Sequence, residues 1–257
     1  FSSPYAVSSG KMWLWPVEFN LRGYSAVFHH SQIIKSFFNS IKITVAGTAL
    51  NIVLTVMAAY PLSRRTFYGR GLFTGIMAFT MFFSGGLVPT FLLIKGMGLY
   101  NTSWALILPG AVGVSNVIIA RTFFQSNIPE ELYEAGQLDG CSDIKFLLKV
   151  VLPLSAPVIA VLVMYYAVGH WNAYFNALIY ITDKDKQVLQ VVLKNILIES
   201  RMMEEMMLDV AEMEQRQGLS ELLKYATIVV SSLPMLILYP FIQKHFVKGV
   251  MIGAIKG

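Results

Sequence analysis

The sequence has little charge, one cysteine and no motif of a known catalytic site. Asp, Glu, Lys and Arg make up 14% of the 257 residues, far below the roughly 25% typical of soluble domains. Cys141 has no second cysteine with which to form an internal disulfide. No G-x-x-x-x-G-K-[ST] loop, which would cradle nucleotide phosphates, occurs in the chain. The four histidines lack metal-ligand spacing, and no hydrophobic stretch carries paired carboxylates or a Ser/His constellation. We therefore expect no catalytic residue, metal site or cofactor in this chain.

Hydrophobic residues, in contrast, make up 55% of the sequence, and the mean hydropathy is +0.58. Stretches of about 20 apolar residues are long enough to cross a bilayer as helices. The sequence therefore predicts an all-α integral membrane protein. Its predicted spans are residues 41–61, 72–94, 103–124, 155–181 and 225–242.

Basic residues predict how these spans are oriented. Arg64, Arg65 and Arg70 follow the first span without a nearby acid, which is typical of a cytoplasmic loop. The excess of 20 basic over 15 acidic residues is more typical of membrane orientation and lipid head groups than of nucleic-acid binding. Basic residues also occur in the segment 182–222, but acids accompany them, and we expect that segment on the outer side.

A charged segment, residues 129–153, interrupts the hydrophobic pattern and predicts two short helices. Asn127 is the predicted N-cap of the first, with Pro129 in its opening turn. Gly140 suits the left-handed residue that ends a helix. Ser142 is the predicted cap of the second helix. The segment fits either a docking element or an amphipathic connector on the membrane surface.

Side chains on these two helices give further expectations. Small residues at Ala135 and Gly136 leave a bare patch that another backbone could approach. In the second helix one apolar face is predicted, formed by Ile144, Leu147, Leu148 and Val151. A DNA-binding helix-turn-helix is disfavoured, because five acids outnumber two lysines across residues 130–149.

The spacing within this segment resembles a family motif. The chain has Glu134-Ala135-Gly136, then Gly140, then Val150-x-Leu152-Pro153. This is similar to the Glu-Ala-Ala, Gly, Ile-x-Leu-Pro pattern of permease subunits of bacterial binding-protein-dependent ABC importers. The chain departs from the pattern at Gly136, where the family usually has Ala, and at Val150, where it has Ile. The first change lowers helix propensity by about 1 kcal/mol.

The resemblance implies a polytopic type I ABC importer transmembrane domain, with five spans in this chain and six in the intact subunit. It implies the following segments: an external segment 1–36, a transmembrane domain 37–257, a cytoplasmic coupling loop 126–153, an external loop 182–222 and a cytoplasmic tail 244–257. The coupling loop would sit in a cleft of a separate ATPase. The implied ATPase-coupling residues are Glu131, Glu134, Ala135, Gly136, Asp139, Gly140, Leu152 and Pro153.

The same resemblance implies partners and a location. The chain would lie in the bacterial cytoplasmic (inner) membrane beside a second, non-identical permease subunit. An ATPase dimer would bind ATP and Mg²⁺, and an extracytoplasmic binding protein would deliver the substrate. Similarity of Ser2-Ser3-Pro4 and of Leu14-Trp15-Pro16-x-x-Phe19 to one oligosaccharide branch of the family implies an oligosaccharide, including acidic ones derived from alginate. Permeases for peptides or amino acids and a sodium-driven carrier remain the alternatives.

Polar residues in the outer half of the fourth span are candidates for lining the substrate path. They are His170, Trp171, Asn172, Tyr174 and Asn176. Polar groups at this depth are costly unless they face protein or water, and aromatic rings beside amides suit sugars. Asn172 and Asn176 would share one helical face. The same residues equally suit a polar contact between helices and an interfacial aromatic belt.

Three further segments carry open alternatives. Ser84-Gly85-Gly86 and Pro89 predict a break in the second span. The break suits either a gate or the lining of the path, or else an ordinary proline kink or a close contact between helices. In the external loop an amphipathic face is predicted, followed by a Met-rich acidic stretch, 199–217, that suits either a contact with the binding protein or core packing. The tail 244–257 suits either the ATPase interface or a disordered end. The predicted face comprises Leu189, Val192, Leu193, Ile196 and Leu197.

Overall fold

The computed structural model describes residues 2, 15–206, 222–240 and 243. Within these residues the chain is helical and contains no strand. The first helices are α1 (Arg22–His29), α2 (Ser31–Ser63), α3 (Arg70–Phe82), α4 (Leu87–Gly96), α5 (Trp104–Ile107) and α6 (Val114–Asn127). They are followed by α7 (Glu130–Leu138), α8 (Asp143–Phe146), α9 (Ala156–Trp171), α10 (Tyr174–Tyr180), α11 (Leu189–Met206) and α12 (Leu222–Pro240).

Two helices among the described residues are individually long and apolar enough to cross a membrane. These are α2, with 33 residues, and α12, with 19. Three pairs of helices, each bent at a short break, are together also long and apolar enough to cross a membrane. The described residues therefore contain up to five candidate spans if each pair counts as one. The first and last predicted spans overlap α2 and α12, and the second and third overlap two of the bent pairs. The remaining pair joins Asp143–Leu154 to Ala156–Trp171 and therefore begins twelve residues before the predicted fourth span, 155–181. The helix α2 contains the first predicted span but begins ten residues before it, at Ser31.

The predicted break in the second span is present, but its cause differs from a proline kink. The axes of α3 and α4 are bent by 112°. Gly86, between them, has φ +82° and ψ 179°, a region that is essentially restricted to glycine. Pro89 is the third residue of α4, where the backbone N–H would have no partner within the helix. Gly86 therefore allows the turn between α3 and α4, and Pro89 is compatible with the first turn of α4.

The third predicted span, 103–124, is not one straight helix. A 3-10 turn, Leu108–Gly110, follows α5, and the chain is bent by 52° before α6. Pro109 cannot donate the hydrogen bond that would continue α5. Length and hydropathy alone predicted one span there and do not register the effect of this proline.

The fourth predicted span, 155–181, is also divided. Ala173 separates α9 from α10 with φ −71° and ψ 63°, and the Tyr174 N–H donates to the Asn172 carbonyl over 2.7 Å. These values describe an inverse γ-turn. The expectation that Asn172 and Asn176 share one helical face is therefore wrong, because the helix stops between them.

The described chain divides into two compact units. Among the described residues, the first comprises residues 2, 15–42, 101–103, 171–206 and 222–237. Its core includes Val27, Ile33, Trp171, Leu189, Val192, Ile196 and Ala226. The predicted face of α11 is thus confirmed at Leu189, Val192 and Ile196, while Leu193 and Leu197 are half-buried. The Met-rich stretch beyond Met206 and the tail 244–257 lie outside the described residues.

Polar contacts fix the turn that precedes α11 in this unit. The Lys35 ammonium lies 2.7 Å from an Asp185 carboxylate oxygen, and the Asn39 amide donates to the carbonyls of Asp185 and Gln187. The Asn101 side-chain oxygen accepts from the Thr182 and Asp183 N–H groups. These contacts hold the turn in one arrangement.

The second unit comprises the described residues 43–100, 104–170, 238–240 and 243. Its apolar core brings together the end of α2, the middle of α6, the short helix α8 and the first half of α9. The core residues are Val56, Ala59, Tyr60, Leu62, Val117, Ala120, Phe124, Ile128, Phe146, Val151, Val158, Leu162 and Tyr166. The loop 126–153 belongs to this unit, and part of it packs into the core.

Candidate functional site

The helix α7 begins at a different residue from the predicted one. Its N-cap position is Pro129, with Glu130 and Glu131 in the first turn. Asn127 is the last residue of α6, and its amide donates to the Phe123 carbonyl over 3.1 Å. The predicted Asn127 cap is therefore wrong, because α6 extends to this residue and its side chain hydrogen-bonds to the preceding turn of α6.

The end of α7 is a Schellman motif that depends on Gly140. The Cys141 N–H donates to the Gly136 carbonyl, and the Gly140 N–H donates to the Gln137 carbonyl, both over 2.9 Å. These are the two bonds that define the motif. Gly140 has φ +71°, as its predicted role requires. The chain therefore reverses direction sharply between α7 and α8.

The second helix of the loop begins as predicted but buries different side chains. The Ser142 hydroxyl accepts from the Lys145 N–H over 3.4 Å, which confirms the cap. Ile144 and Leu148, however, are 71% and 58% exposed, while Phe146 is buried. Residues 147–151 form a π-helical turn, which shifts the side-chain register away from the α-helical spacing. The predicted apolar face is therefore wrong except at Val151, which is buried, and Leu147, which is half-buried.

The bare patch at Gly136 is filled by an aromatic ring. A Cβ atom on Gly136 would lie 2.9 Å from Cδ2 of Phe146, closer than atoms in contact normally approach. The expectation that another backbone would approach here is wrong for Gly136, because Phe146 of the same loop occupies the space. This packing joins α7 to α8.

Arg64 extends the same packing to the end of α2. Its guanidinium carbon lies 4.3 Å from the ring centroid of Tyr133, 4.9 Å from that of Tyr60 and 5.2 Å from that of Phe146. Tyr133 and Phe146 meet edge to face, with centroids 5.3 Å apart. Cations over aromatic faces are attracted by the ring quadrupole. Arg64, one of the basic residues that predict the orientation of the spans, thus also binds the loop 126–153 to α2.

A hydrogen-bond chain adds to this junction. The Tyr133 hydroxyl donates to an Asp143 carboxylate oxygen over 2.6 Å and accepts from the Gln137 amide over 2.7 Å. The hydrogen bond to Asp143, followed by partial burial, raises the pKa of Tyr133 above its ordinary value of 10.0. The phenol is therefore neutral and donating at neutral pH.

Further contacts attach the loop after α2 to its neighbours. The Arg121 side chain donates to the Leu62 carbonyl over 3.0 Å, and the Arg65 side chain lies 3.8 Å from a Glu130 carboxylate oxygen. This ion pair is largely exposed and contributes little stability by itself. Together with the Arg64 stacking, these contacts connect α2, α6 and α7. A displacement of α7 would therefore be transmitted to α2 and α6.

The remaining predicted coupling residues form the outer surface of the loop. Glu131, Glu134, Ala135, Asp139, Gly140 and Pro153 are exposed, whereas Leu152 is half-buried. The exposed face of α7 carries a surplus of negative charge. Such a face is available to a partner with basic groups.

Trp171 occupies a buried structural position. It is 3% exposed, its indole N–H donates to the Ser231 carbonyl over 3.0 Å, and its ring meets Phe37 edge to face at 5.9 Å. A ring enclosed by α2 and α12 side chains cannot reach a substrate in this conformation. The geometry favours the interpretation of Trp171 as a contact between helices.

His170 packs against α2. Its Nε2 atom lies 3.4 Å from the Asn51 side-chain oxygen, and a Cβ atom on Gly47 would lie 2.5 Å from the imidazole. Glycine at position 47 is therefore required for this close approach. The contact places an imidazole and a buried amide together within the second unit.

Of the other candidate path residues, Asn172 begins the γ-turn, whereas Tyr174 and Asn176 lie in α10. Asn172 and Asn176 are exposed. Tyr174 accepts a hydrogen bond from the Lys194 ammonium, which also lies 4.6 Å from its ring centroid. Tyr174 is thus engaged by α11.

A buried polar row on α2 was missed in the sequence. It consists of Thr44, Thr48, Asn51 and Thr55, spaced by four, three and four residues, and each is at most 8% exposed. Their spacing could have shown that they share a face, but hydropathy averaged over the span concealed it. Burying polar groups is costly unless they are hydrogen-bonded.

Two members of this row join neighbouring segments. The Asn51 amide donates to the Gly110 carbonyl over 3.0 Å. Thr55 and Tyr166 share a 2.6 Å hydrogen bond between their hydroxyl oxygens, and the Tyr166 oxygen accepts from the Gly113 N–H over 3.2 Å. These bonds connect α2, α9 and the bend before α6.

Comparisons with known proteins agree on one family. The sequence profile described as "Binding-protein-dependent transport system inner membrane component" matches residues 51–252. The chain is 44% identical over 258 residues to the Bacillus subtilis polygalacturonan/rhamnogalacturonan transport system permease protein YtcP, covering 100% of the chain and 89% of that protein. It is 42% identical over 260 residues to Protein LplC of the same organism, covering 100% and 86%.

A solved structure extends the likeness to the fold. It is the crystal structure of a bacterial ABC transporter involved in the import of the acidic polysaccharide alginate. The TM-score is 0.85 at 33% sequence identity, and the match covers 95% of this chain and 86% of that chain.

Proposed function

From the premise that the chain belongs to the family of inner-membrane components of binding-protein-dependent transport systems, we propose that it forms half of a translocation pathway driven by a separate ATPase. The chain is a sugar or oligosaccharide ABC importer permease. It is not itself an enzyme, because permease subunits leave ATP hydrolysis to their partners. The observation that carries the proposal is the match in family together with the two-helix loop closed by Gly140.

The substrate class is proposed to be an acidic oligosaccharide. The protein at 44% identity is described as a permease for polygalacturonan and rhamnogalacturonan, and the matching structure concerns alginate. All three names refer to polymers that contain uronic acid. The alternatives of peptides, amino acids or a sodium-driven carrier receive no support from these relatives.

The coupling mechanism is proposed to rest on the loop 126–153. Nucleotide-driven closure of an ATPase dimer, which binds ATP and Mg²⁺, would displace the exposed acidic face of α7. The Schellman turn and the packing of Phe146 on Gly136 make α7 and α8 move together. Arg64 and Arg121 then pass this displacement to α2 and α6, and the spans alternate between inward-facing and outward-facing arrangements.

Partners and path are proposed on the same basis. A second, non-identical permease subunit would complete the pathway, and an extracytoplasmic binding protein would deliver the sugar. Residues 1–36 and 182–222 would face outward and the tail 244–257 would face the cytoplasm. Exposed Asn172 and Asn176 would meet sugar hydroxyls.

Purification of the tagged subunit from its native membrane in mild detergent tests the proposal. The expected result is a complex with a second permease and an ATPase in about equal amounts, and with ATPase activity stimulated by the binding protein loaded with a uronate oligosaccharide. A chain that purifies alone would refute the coupling role of the loop. Stimulation by neutral sugars or peptides instead of uronates would refute the substrate class.

A further inference from the structure

A cleft lies between the end of α2 and the loop 126–153, within the second unit. Its volume is about 420 Å³, and its lining includes Met57, Arg64, Thr66, Phe67, Asp143 and Ile144. Neither the proposed substrate path nor the exposed coupling face of α7 uses this cleft. Its chemistry changes from apolar at Met57 to charged at Arg64.

Arg64 brings to the cleft a positive charge that no acid neutralises. Among the described residues it forms no ion pair. Its Nε is buried without a hydrogen-bond partner, and its Nη2 donates to the Tyr60 hydroxyl over 3.4 Å. A guanidinium has five N–H donors, so most of its capacity remains for an anion. The surrounding rings orient it without neutralising it.

Asp143 brings the opposite charge to the same cleft. One of its carboxylate oxygens accepts from the Tyr133 hydroxyl, and it forms no ion pair within the described part of the chain. Arg64 and Asp143 therefore face one cleft without pairing with each other. Such an arrangement suits a ligand that carries one negative and one positive group.

The apolar lining belongs to residues at the end of a candidate span. Met57 is 61% exposed and lies in the last two turns of α2, the helix that is long enough to cross a membrane. Phe67 and Ile144 are also exposed. Cationic pockets at the cytoplasmic end of spans are typical sites for lipid head groups.

We propose that this cleft binds a phospholipid whose head group carries a primary amine, as in phosphatidylethanolamine. The phosphate contacts the Arg64 guanidinium, the ammonium contacts Asp143, and an acyl chain lies along Met57. This inference rests on the proposed function only in placing the end of α2 at the cytoplasmic membrane surface. A bound lipid here would stabilise the junction through which α7 moves α2.

Lipid retention by the purified complex tests the inference. The complex is stripped of lipid and reconstituted in nanodiscs that contain equal amounts of phosphatidylethanolamine, phosphatidylcholine and phosphatidylglycerol. The lipid that remains after re-extraction is then quantified by mass spectrometry. We expect phosphatidylethanolamine to be enriched about fivefold over phosphatidylcholine, whose quaternary amine cannot donate a hydrogen bond.

Variants assign the enrichment to the cleft. Asp143→Asn keeps an acceptor for Tyr133 but removes the charge, and should abolish the preference for the primary amine. Asp139→Asn, which removes an exposed carboxylate outside the cleft, is the matched control and should retain the enrichment. Arg64→Gln should lower retention of all three phospholipids, and Arg64→Lys should restore part of it.

The same preparation separates this inference from the proposed function. Equal retention of the three lipids, or an enrichment unchanged in Asp143→Asn, overturns the lipid site. The site is also overturned if the complex with its ATPase retains no lipid, because the ATPase would then cover the cleft. ATPase content is measured in parallel. Its presence without lipid selectivity leaves the coupling role intact, whereas selective lipid binding without any ATPase refutes the coupling role alone.

Discussion

A methyl group on Gly136 would lie 2.9 Å from Cδ2 of Phe146, closer than a side-chain carbon can approach a ring. The family pattern that this loop resembles has alanine at this position. The substitution Gly136→Ala should gain about 1 kcal/mol of helix propensity and lose about 1–3 kcal/mol to overpacking. The net expectation is a lower thermal unfolding temperature of the complex.

A double-mutant cycle with Phe146→Leu measures this contact. If the ring causes the loss, Gly136→Ala should be better tolerated when leucine replaces Phe146. Additive effects of the two substitutions would contradict the packing described for this pair.

Gly140→Val should uncouple the transporter. A β-branched residue resists φ +71°, and the left-handed conformation costs about 1–2 kcal/mol for ordinary residues. A Cβ at this position would meet no atom within 4 Å, so the cost is conformational. Gly140→Asn is the matched control, because asparagine tolerates this conformation. We expect binding-protein-stimulated ATPase activity to fall in the valine variant and to persist in the asparagine variant, at equal membrane insertion.

Tyr133→Phe should weaken the junction of α7 and α8 at neutral pH by about 1 kcal/mol, through loss of the hydrogen bond to Asp143. The folded-state pKa of Tyr133 is raised above 10.0. The stabilisation from this bond is therefore complete below pH 10.0 and is lost as the pH rises through the folded-state pKa. The unfolding temperatures of wild type and variant should converge over that range, and a constant difference would contradict it.

Trp171→Phe distinguishes a structural tryptophan from a path-lining one. Removing the indole N–H leaves the Ser231 carbonyl without this donor and should cost about 1–3 kcal/mol. We expect a lower unfolding temperature with the same sugar concentration dependence of uptake. A changed KM for sugar at unchanged stability would instead place Trp171 on the path.

Tyr166→Phe tests the buried polar row. The variant leaves the Thr55 hydroxyl and the Gly113 N–H without their described partner, at a cost of about 1–3 kcal/mol. Adding Thr55→Val removes the Thr55 hydroxyl, one of the two polar groups left without a partner, and should recover part of the lost stability. If the double variant is as unstable as the sum of the single ones, the two hydroxyls are not coupled.

Local rules of helix chemistry predicted the turn of the loop well. Gly140 and Ser142 act as their residue types indicate, because a left-handed terminus and a side-chain cap involve only neighbouring residues. The break near Gly86 was predicted for the same reason. These features depend on a few consecutive residues and little on the rest of the fold.

Features that depend on distant residues were not predictable in this way. The ring of Phe146 reaches Gly136 only because the Schellman turn folds α8 back on α7. The π-helical turn at 147–151 then breaks the α-helical spacing that had predicted Ile144 and Leu148 on one buried face. Helical periodicity assumes an unbroken α-helix, and it failed at these residues and at Ala173.

The inverse γ-turn at Ala173 has a consequence for engineering this transporter. A substitution at the exposed residue Asn176 should not rotate the buried ring of Trp171, because the helix is interrupted between them at Ala173. A library confined to the exposed position Asn176, where the proposed function expects contact with sugar, should therefore yield properly folded proteins at high frequency. Selectivity in this permease would then be evolvable separately from its folding.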